Sequence, residues 1–435
     1  MSKAYFIWIL LLFTSLSVQS QDVDTAKLDS YFDILENENQ FMGSLALSKN
    51  GVPFYTRQLG YTDIESNKKP NIDTKYRIGS ISKTFTATMI FMAVEEGLIQ
   101  LQDPLSKYIA NIENGDKITI SDLLNHRSGI FNFTSDPKYL SYNTEKKSRE
   151  EMLGIISVAK SVFPPGSQVS YSNSNYVLLT YILEDLYQKS FSDLLLEKIA
   201  KPLEMDHTYV GEAISLEDNE TNSYAYLDNW AKQTQTDPSI PLGAGAIVSN
   251  PSDLNRFGYG LFSGALISKK SLDLMTEISD GYGRGIFPIP FNERVSFGHN
   301  GGIDGFSSVF GYFPDDGLGY ALTSNGTLIK NNDILILLLT TAYGLEFDLP
   351  FVPESEDLSS YLGLYSGPDF PLKIDVSLKK NSLFVQATGQ GKLLLQANER
   401  HVFSIEGLNL KITFDPDNNK MLLEQNGMTF NLSKE

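Results

Sequence analysis

The chain contains no cysteine. That excludes disulfides, cysteine nucleophiles, thiolate metal sites and a lipid-modified N-terminal cysteine. Histidine is nearly as scarce: His126, His207, His299 and His401 are the only four and form no close cluster, so no histidine-rich zinc site is expected. Positive charge is short as well. Lys and Arg number 35 against 53 Asp and Glu, and the formal net charge of −18 would repel phosphate backbones. No nucleic-acid partner is expected. Beyond the first twenty residues no stretch approaches ~20 consecutive apolar residues, so no stable membrane span is expected either. There are no internal repeats and no low-complexity segment. The 435 residues, 41% of them hydrophobic, exceed one ordinary domain and suffice for a large core.

The first twenty residues read as a targeting segment, 1–20. Lys3 supplies a positive start, Phe6 to Phe13 an apolar core, and Val18-Gln19-Ser20 a small-residue cleavage site before Gln21. This predicts an exported protein, periplasmic or secreted. The competing reading, an uncleaved anchor, fits less well because the apolar run is short.

The most informative stretch is Tyr76-Arg77-Ile78-Gly79-Ser80-Ile81-Ser82-Lys83-Thr84-Phe85. From Ile81 onward almost no charge appears until Glu95, and Gly97 then offers a C-cap, so the spacing predicts a helix apolar on every side and buried at a domain centre. Residues three apart share a helix face, which lets the Ser80 hydroxyl meet the Lys83 amine. A serine attacks only when a base takes its proton, and a lysine is a base only when burial or a neighbouring charge lowers its pKa. The helix N-terminus favours an anion, and the Ser80 backbone N–H offers one oxyanion donor. The same Ser-x-x-Lys pattern recurs at Ser66/Lys69, Ser157/Lys160 and Ser377/Lys380. The pattern alone therefore carries little, and the buried helix behind Ser80 is what sets it apart.

Along the chain, Asp22 to Glu38 has helical spacing, and Lys49-Asn50-Gly51 joins two strand patterns as a hairpin. Helix starts follow at Ile120 to His126, with Ser121 as the expected N-cap, and after Phe163-Pro164-Pro165-Gly166, where an apolar helix from Val177 to Leu186 is expected. His126 reads as a loop-tying histidine, and Asn173 and Ser174 read as caps of that helix unless they belong to a site. Leu242 to Ser249 reads as a small-residue strand, and Asn250-Pro251 opens another helix. Strands at Ser308 to Phe313 and Gly319 to Ser324 and a helix at Asp333 to Tyr343 close the unit. Leu349 to Glu354 reads as a linker to short strands, which predicts three parts: 1–20, 21–348, and a small antiparallel β-domain at 349–435.

Ser80-Ile81-Ser82-Lys83, Tyr171-Ser172-Asn173 and His299-Asn300-Gly301 stand in one order along the chain. This set resembles the serine β-lactamase and penicillin-binding-protein family, above all its class C branch with the D-alanyl-D-alanine carboxypeptidases, D-aminopeptidases and esterases. Leu123 to Gly129, Pro164-Pro165-Gly166 and Gly301 to Ser307 also match the family's wording, and the resemblance spans about Leu28 to Tyr343. It implies an α+β fold: an antiparallel sheet flanked by helices, plus an all-helical region, with the C-terminal part similar to a lipocalin-like appendage. It also implies a serine hydrolase without a cofactor or metal, acting on a small-molecule or peptide substrate. Ser80 would form an acyl-enzyme with an amide, ester or β-lactam. Lys83 and Tyr171 would move its proton, and Asn173 would bond Lys83 or a substrate amide. Gly302, next to Gly301, would give the second oxyanion N–H, and His299 would line the pocket. Histidine at 299, where the best-characterised β-lactamases carry lysine, points to the esterase and peptidase relatives. A rival reading keeps the pocket without the chemistry, as a silent binder or sensor of cell-wall peptides. Substrate choice would rest with two loops, Phe131 to Arg149 and Gly211 to Ser239.

Overall fold

A computed structural model describes residues 25–226, 229–379 and 381–435. The expected targeting segment lies outside these residues. Among the described residues no helix is long and apolar enough to cross a membrane.

The first helix, Thr25–Asn37, buries Leu28, Phe32 and Leu35, which recur every three to four residues on one face. The hairpin follows, Phe41–Lys49 and Val52–Leu59, and its tip is left-handed at both Asn50 and Gly51 (φ 48° and 78°). Asn-Gly adopts this conformation at little cost, and its twist matches that of the flanking strands. The first hairpin strand then pairs with Leu318–Thr327, so the start and end of the unit share one six-stranded antiparallel sheet. Phe306–Phe313, Arg294–Ile303 and Phe287–Phe291 complete it. The last strand escapes the sequence reading because Pro288 and Pro290 break the pattern. It lies at the sheet edge, where a missing N–H costs no ladder bond.

Alternation along these strands feeds two separate cores. Val309, Tyr320 and Leu322 point to the side covered by Thr25–Asn37 and Asn331–Ala342. Phe310 and Ala321 point to the other, where the helical region packs. At the centre of that region the helix Ser82–Glu95 buries every residue from Ser82 to Ala93, as its sequence requires, and Gly97 (φ 74°) follows it as the C-terminal stop. A third core belongs to a nine-stranded antiparallel sheet at Gly363–Lys434. Its two edge strands, Leu393–Leu394 and Gln396–Glu399, are consecutive in sequence, so the sheet curls almost into a barrel. The α+β class with a small C-terminal β-unit is thus the observed fold.

Three local expectations are corrected. The cap of Ile120–Leu124 is Thr119, not Ser121: Thr119 Oγ1 accepts from Asp122 N (3.1 Å), and the Asp122 carboxylate accepts from Thr119 N (2.9 Å). The helix expected from Val177 begins four residues earlier, at Asn173. Of the expected strand Leu242 to Ser249, only Ile247–Ser249 is extended, since Leu242–Ala244 forms a 3₁₀ turn.

Candidate active site

Ser80 sits in a single 3₁₀ turn, Gly79–Ile81, that feeds straight into the central helix. Gly79 must be left-handed there (φ 53°), and a Cβ on it would stand 2.8 Å from the Gly302 nitrogen. The serine turn and the strand Arg294–Ile303 therefore meet backbone to backbone. At Gly301 the approach is closer still, because a Cβ would lie 2.0 Å from the Ile78 carbonyl oxygen. Glycines at 79 and 301 let the Ser80 and Gly302 amides approach one another.

One helical turn on, Lys83 is fully buried. Its Nζ lies 3.0 Å from Ser80 Oγ, 2.7 Å from Asn173 Oδ1 and 2.7 Å from the Ala244 carbonyl oxygen. Burial holds the amine well below the usual lysine range. A neutral amine has two N–H donors and one lone pair. Asn173 Oδ1 and Ala244 O can only accept, so in the neutral state they take the two donors and the lone pair is left to face Ser80 Oγ. Asn173 is itself fixed: its Nδ2 donates to Thr134 Oγ1 (3.0 Å) and its backbone N–H to Asn132 Oδ1 (3.0 Å). It is not a cap. Ser174 is not one either, because its hydroxyl donates to the Phe131 carbonyl (2.6 Å).

Tyr171 reaches the same point from a loop about ninety residues away. Its ring lies 4.8 Å from Lys83 Nζ, and the Ser80 hydroxyl is a partner of its phenol. Desolvation raises the phenol's pKa and the Ser80 contact opposes this, so the group is neutral near pH 7. His299 occupies a different place from the one expected. It is 1% exposed, its ring lies tilted against Phe287 (4.3 Å between centroids), and its Nδ1–H donates to the Asn300 carbonyl (2.5 Å). Burial, with Lys83 nearby, lowers its pKa to about 3, so it is a neutral wall behind Tyr171 and no receptor for a carboxylate.

Above these groups opens a cleft of about 560 Å³, with Ser80, Asn173 and Gly302 on its wall. Both loops expected to set specificity line it, through Phe133, Tyr139 and Leu140 on one side and Gln233, Thr234 and Thr236 on the other. Asp304 is the one charged lining residue among those described. Its carboxylate accepts from Thr236 N (2.7 Å) and Thr236 Oγ1 (2.6 Å) and faces Arg77 at 3.5 Å. The sequence reading missed Ala244, Thr134 and the Arg77–Asp304 pair. Only contacts between remote segments mark them, and no motif does.

A hydroxyl, an amine of lowered pKa and a phenol in one buried group, with two backbone amides beside them, can transfer a proton and hold an oxyanion. Comparison with known proteins agrees. The family model described as Beta-lactamase matches residues 35–335. Teichoic acid D-alanine hydrolase of Staphylococcus aureus is 26% identical over 327 residues, covering 73% of this chain and 77% of that protein. The structure of D-amino acid amidase from Ochrobactrum anthropi superposes with a TM-score of 0.66 at 25% identity, covering 73% of this chain and 99% of the amidase. An octameric penicillin-binding protein homologue from Pyrococcus abyssi shares the fold over 94% of this chain and all of its own, with a TM-score of 0.69 at 24% identity. The chain belongs to the Beta-lactamase family and is a serine hydrolase of amides or esters.

Proposed function

We propose that Ser80 is the nucleophile and that the preferred substrates are D-aminoacyl esters or amides bearing a free ammonium and no carboxylate near the scissile bond. The carrying observation is the Lys83 triad of contacts: two acceptors hold the buried amine, whose pKa is lowered, and its third side faces Ser80 Oγ at 3.0 Å. Lys83 and Tyr171 take the Ser80 proton as its oxygen attacks the acyl carbon. The tetrahedral oxyanion rests on the Ser80 and Gly302 amides, and its collapse passes the proton through Tyr171 to the leaving oxygen or nitrogen. Water then repeats the sequence on the acyl-enzyme. Asn173 holds Lys83 in place.

The substrate class follows from charge. Among the described residues the cleft offers no lysine or arginine on its wall, His299 is neutral and buried, and Asp304 is the lining charge. A carboxylate in the substrate would find no cation on the wall, whereas an ammonium would meet no repelling charge there, since the Asp304 carboxylate is shared with the buried Arg77. The names of the hydrolase and amidase relatives agree with this choice. The intact Ser80, Lys83, Tyr171 and Asn173 set speaks against a silent binder. We also assign residues 1–20 to a cleaved export signal and 349–435 to a separate β-domain packed on the hydrolase. N-terminal sequencing of secreted protein beginning near Gln21 checks the first of these.

A fluorophosphonate should add one adduct to the wild type, seen by intact mass, and none to Ser80→Ala. Equal labelling of that variant sinks the nucleophile assignment. D-alanine p-nitroanilide and D-phenylalanine amide should be turned over faster than D-alanyl-D-alanine or nitrocefin. The reverse order would refute the substrate class while leaving Ser80 in place.

A further inference from the structure

Tyr171 is held by very little of its own segment. The chain from Ser167 to Ser172 has no regular structure, and the helix that follows begins only at Asn173 with no side-chain cap on Ser172. What holds it is the stretch Leu124 to Ser128. The His126 carbonyl accepts from Ser170 N (3.0 Å) and His126 Nδ1 accepts from Ser172 N (3.2 Å), so the two neighbours of Tyr171 are tied to one residue. The His126 ring lies against the Tyr171 ring at 4.4 Å between centroids. On either side, Tyr176 Oη donates to the Leu124 carbonyl (2.6 Å), Ser128 Oγ to Asn175 Oδ1 (2.7 Å), and Gly166 N to the Arg127 carbonyl (2.8 Å).

We infer that His126 is the positioning residue of the proton relay: it clamps the backbone on both sides of Tyr171 and seats the phenol ring against Ser80. This rests on the assignment of Tyr171 above. The residue type follows from three demands made at one position. The backbone is left-handed (φ 60°), which histidine and asparagine tolerate better than most residues. An acceptor must stand where Nδ1 stands. A flat ring must cover the phenol. Because Nδ1 accepts from Ser172 N–H, the neutral ring carries its proton on Nε2, and protonating Nδ1 would break that bond. Burial, with Lys83 and His299 nearby, disfavours such protonation.

His126→Gly keeps the backbone conformation and removes both acceptor and ring, whereas His126→Asn keeps the conformation and an acceptor near Nδ1. Each is made in the wild type and in Tyr171→Phe. Rates of fluorophosphonate labelling are followed by mass, since they remain measurable in weak variants. On an ester substrate His126→Gly should lower kcat about 10- to 100-fold with KM within about twofold, as displaced catalytic groups do. His126→Asn should recover most of that loss. In Tyr171→Phe the glycine change should alter labelling by less than about twofold, since the group it positions is gone. A full additional loss in that background overturns the proposal, as does a loss in His126→Asn as large as in His126→Gly. If His126→Gly does not fold, His126→Asn decides alone: kcat within about threefold of wild type supports the clamp, and a loss equal to that of Tyr171→Phe refutes it. Wild-type labelling of Tyr171→Phe would refute the relay and this proposal with it, while Ser80→Ala separately reports on the nucleophile.

Discussion

The surroundings of Lys83 and the C-terminal barrel are built on opposite principles. In the barrel, Ile374, Val376, Leu383, Ile412, Phe414 and Leu423 alternate inward around Tyr361, and ion pairs such as Lys373–Glu435 and Lys411–Glu424 lie outside in solvent. Strands such as Leu410–Asp415 and Lys420–Gln425 alternate fully buried residues with less buried ones. Around Lys83 a lysine lies wholly buried, and among the described residues no carboxylate lies within ion-pair distance of it. Its stem runs through an apolar core, and its amine is met by one amide and one carbonyl. Burial of an ionisable group costs stability that a methionine would not. On the proposed reading of Lys83, the central helix gives up stability for a base.

That contrast can be broken at several points. Lys83→Met should lower kcat/KM about 10⁴-fold, as removal of a general base does, while the protein stays folded. Steady-state kinetics beside circular dichroism would show this, and retained activity would place the base elsewhere. Gly301→Ala forces a Cβ to 2.0 Å from a backbone oxygen and should cost about 3 kcal/mol in urea unfolding. Gly302→Ala meets nothing closer than 3.8 Å and should cost under about 1 kcal/mol. Equal costs at the two glycines would deny the backbone contact between serine turn and strand. In the barrel, Leu423→Ala should loosen that unit by about 2–3 kcal/mol yet leave kcat/KM within about twofold. A parallel fall in activity would tie the barrel to the chemistry.

The smallest effect is the most specific. Since the folded pKa of Lys83 lies below its unfolded value, kcat/KM should fall about tenfold per pH unit beneath that lowered pKa and level off above it. Stability has the same sign: the unfolded chain binds one proton more than the folded chain between the folded and unfolded lysine values, so unfolding free energy rises with pH across that window. A rate that is flat with pH down to the carboxylate range would show that no amine titrates in catalysis.

Much of this is legible in the sequence. The helix Ser82–Glu95 announces its burial because no charge interrupts it, and the three-residue spacing of Ser80 and Lys83 needs only helical geometry. The hairpin tip, the Asn250 cap and most barrel strands are equally local. Other features escaped because their causes are remote. Asn173 looks like a helix cap and is instead a lysine acceptor, since the competing partner comes from a helix ninety residues earlier. Leu242 to Ala244 looks extended and is a turn whose carbonyl completes the Lys83 shell. His299 looks like a pocket residue and is buried, because the proline-bearing edge strand that sets Phe287 over it has no clear pattern.

Sequence by itself determined the α+β class, the buried helix, the pairing of hydroxyl and amine one turn apart, and the family. The helix and the pairing follow from periodicity and spacing within a few residues, where chain geometry leaves little freedom, whereas the family and the fold class it implies came from the resemblance of three motifs standing in order from Ser80 to Gly301. Tertiary structure alone decided that the amine is buried with its pKa lowered, which acceptors surround it, and that His126 ties the backbone on both sides of Tyr171. Such properties depend on dielectric surroundings and on bond partners supplied by distant segments, and no short window of sequence contains them.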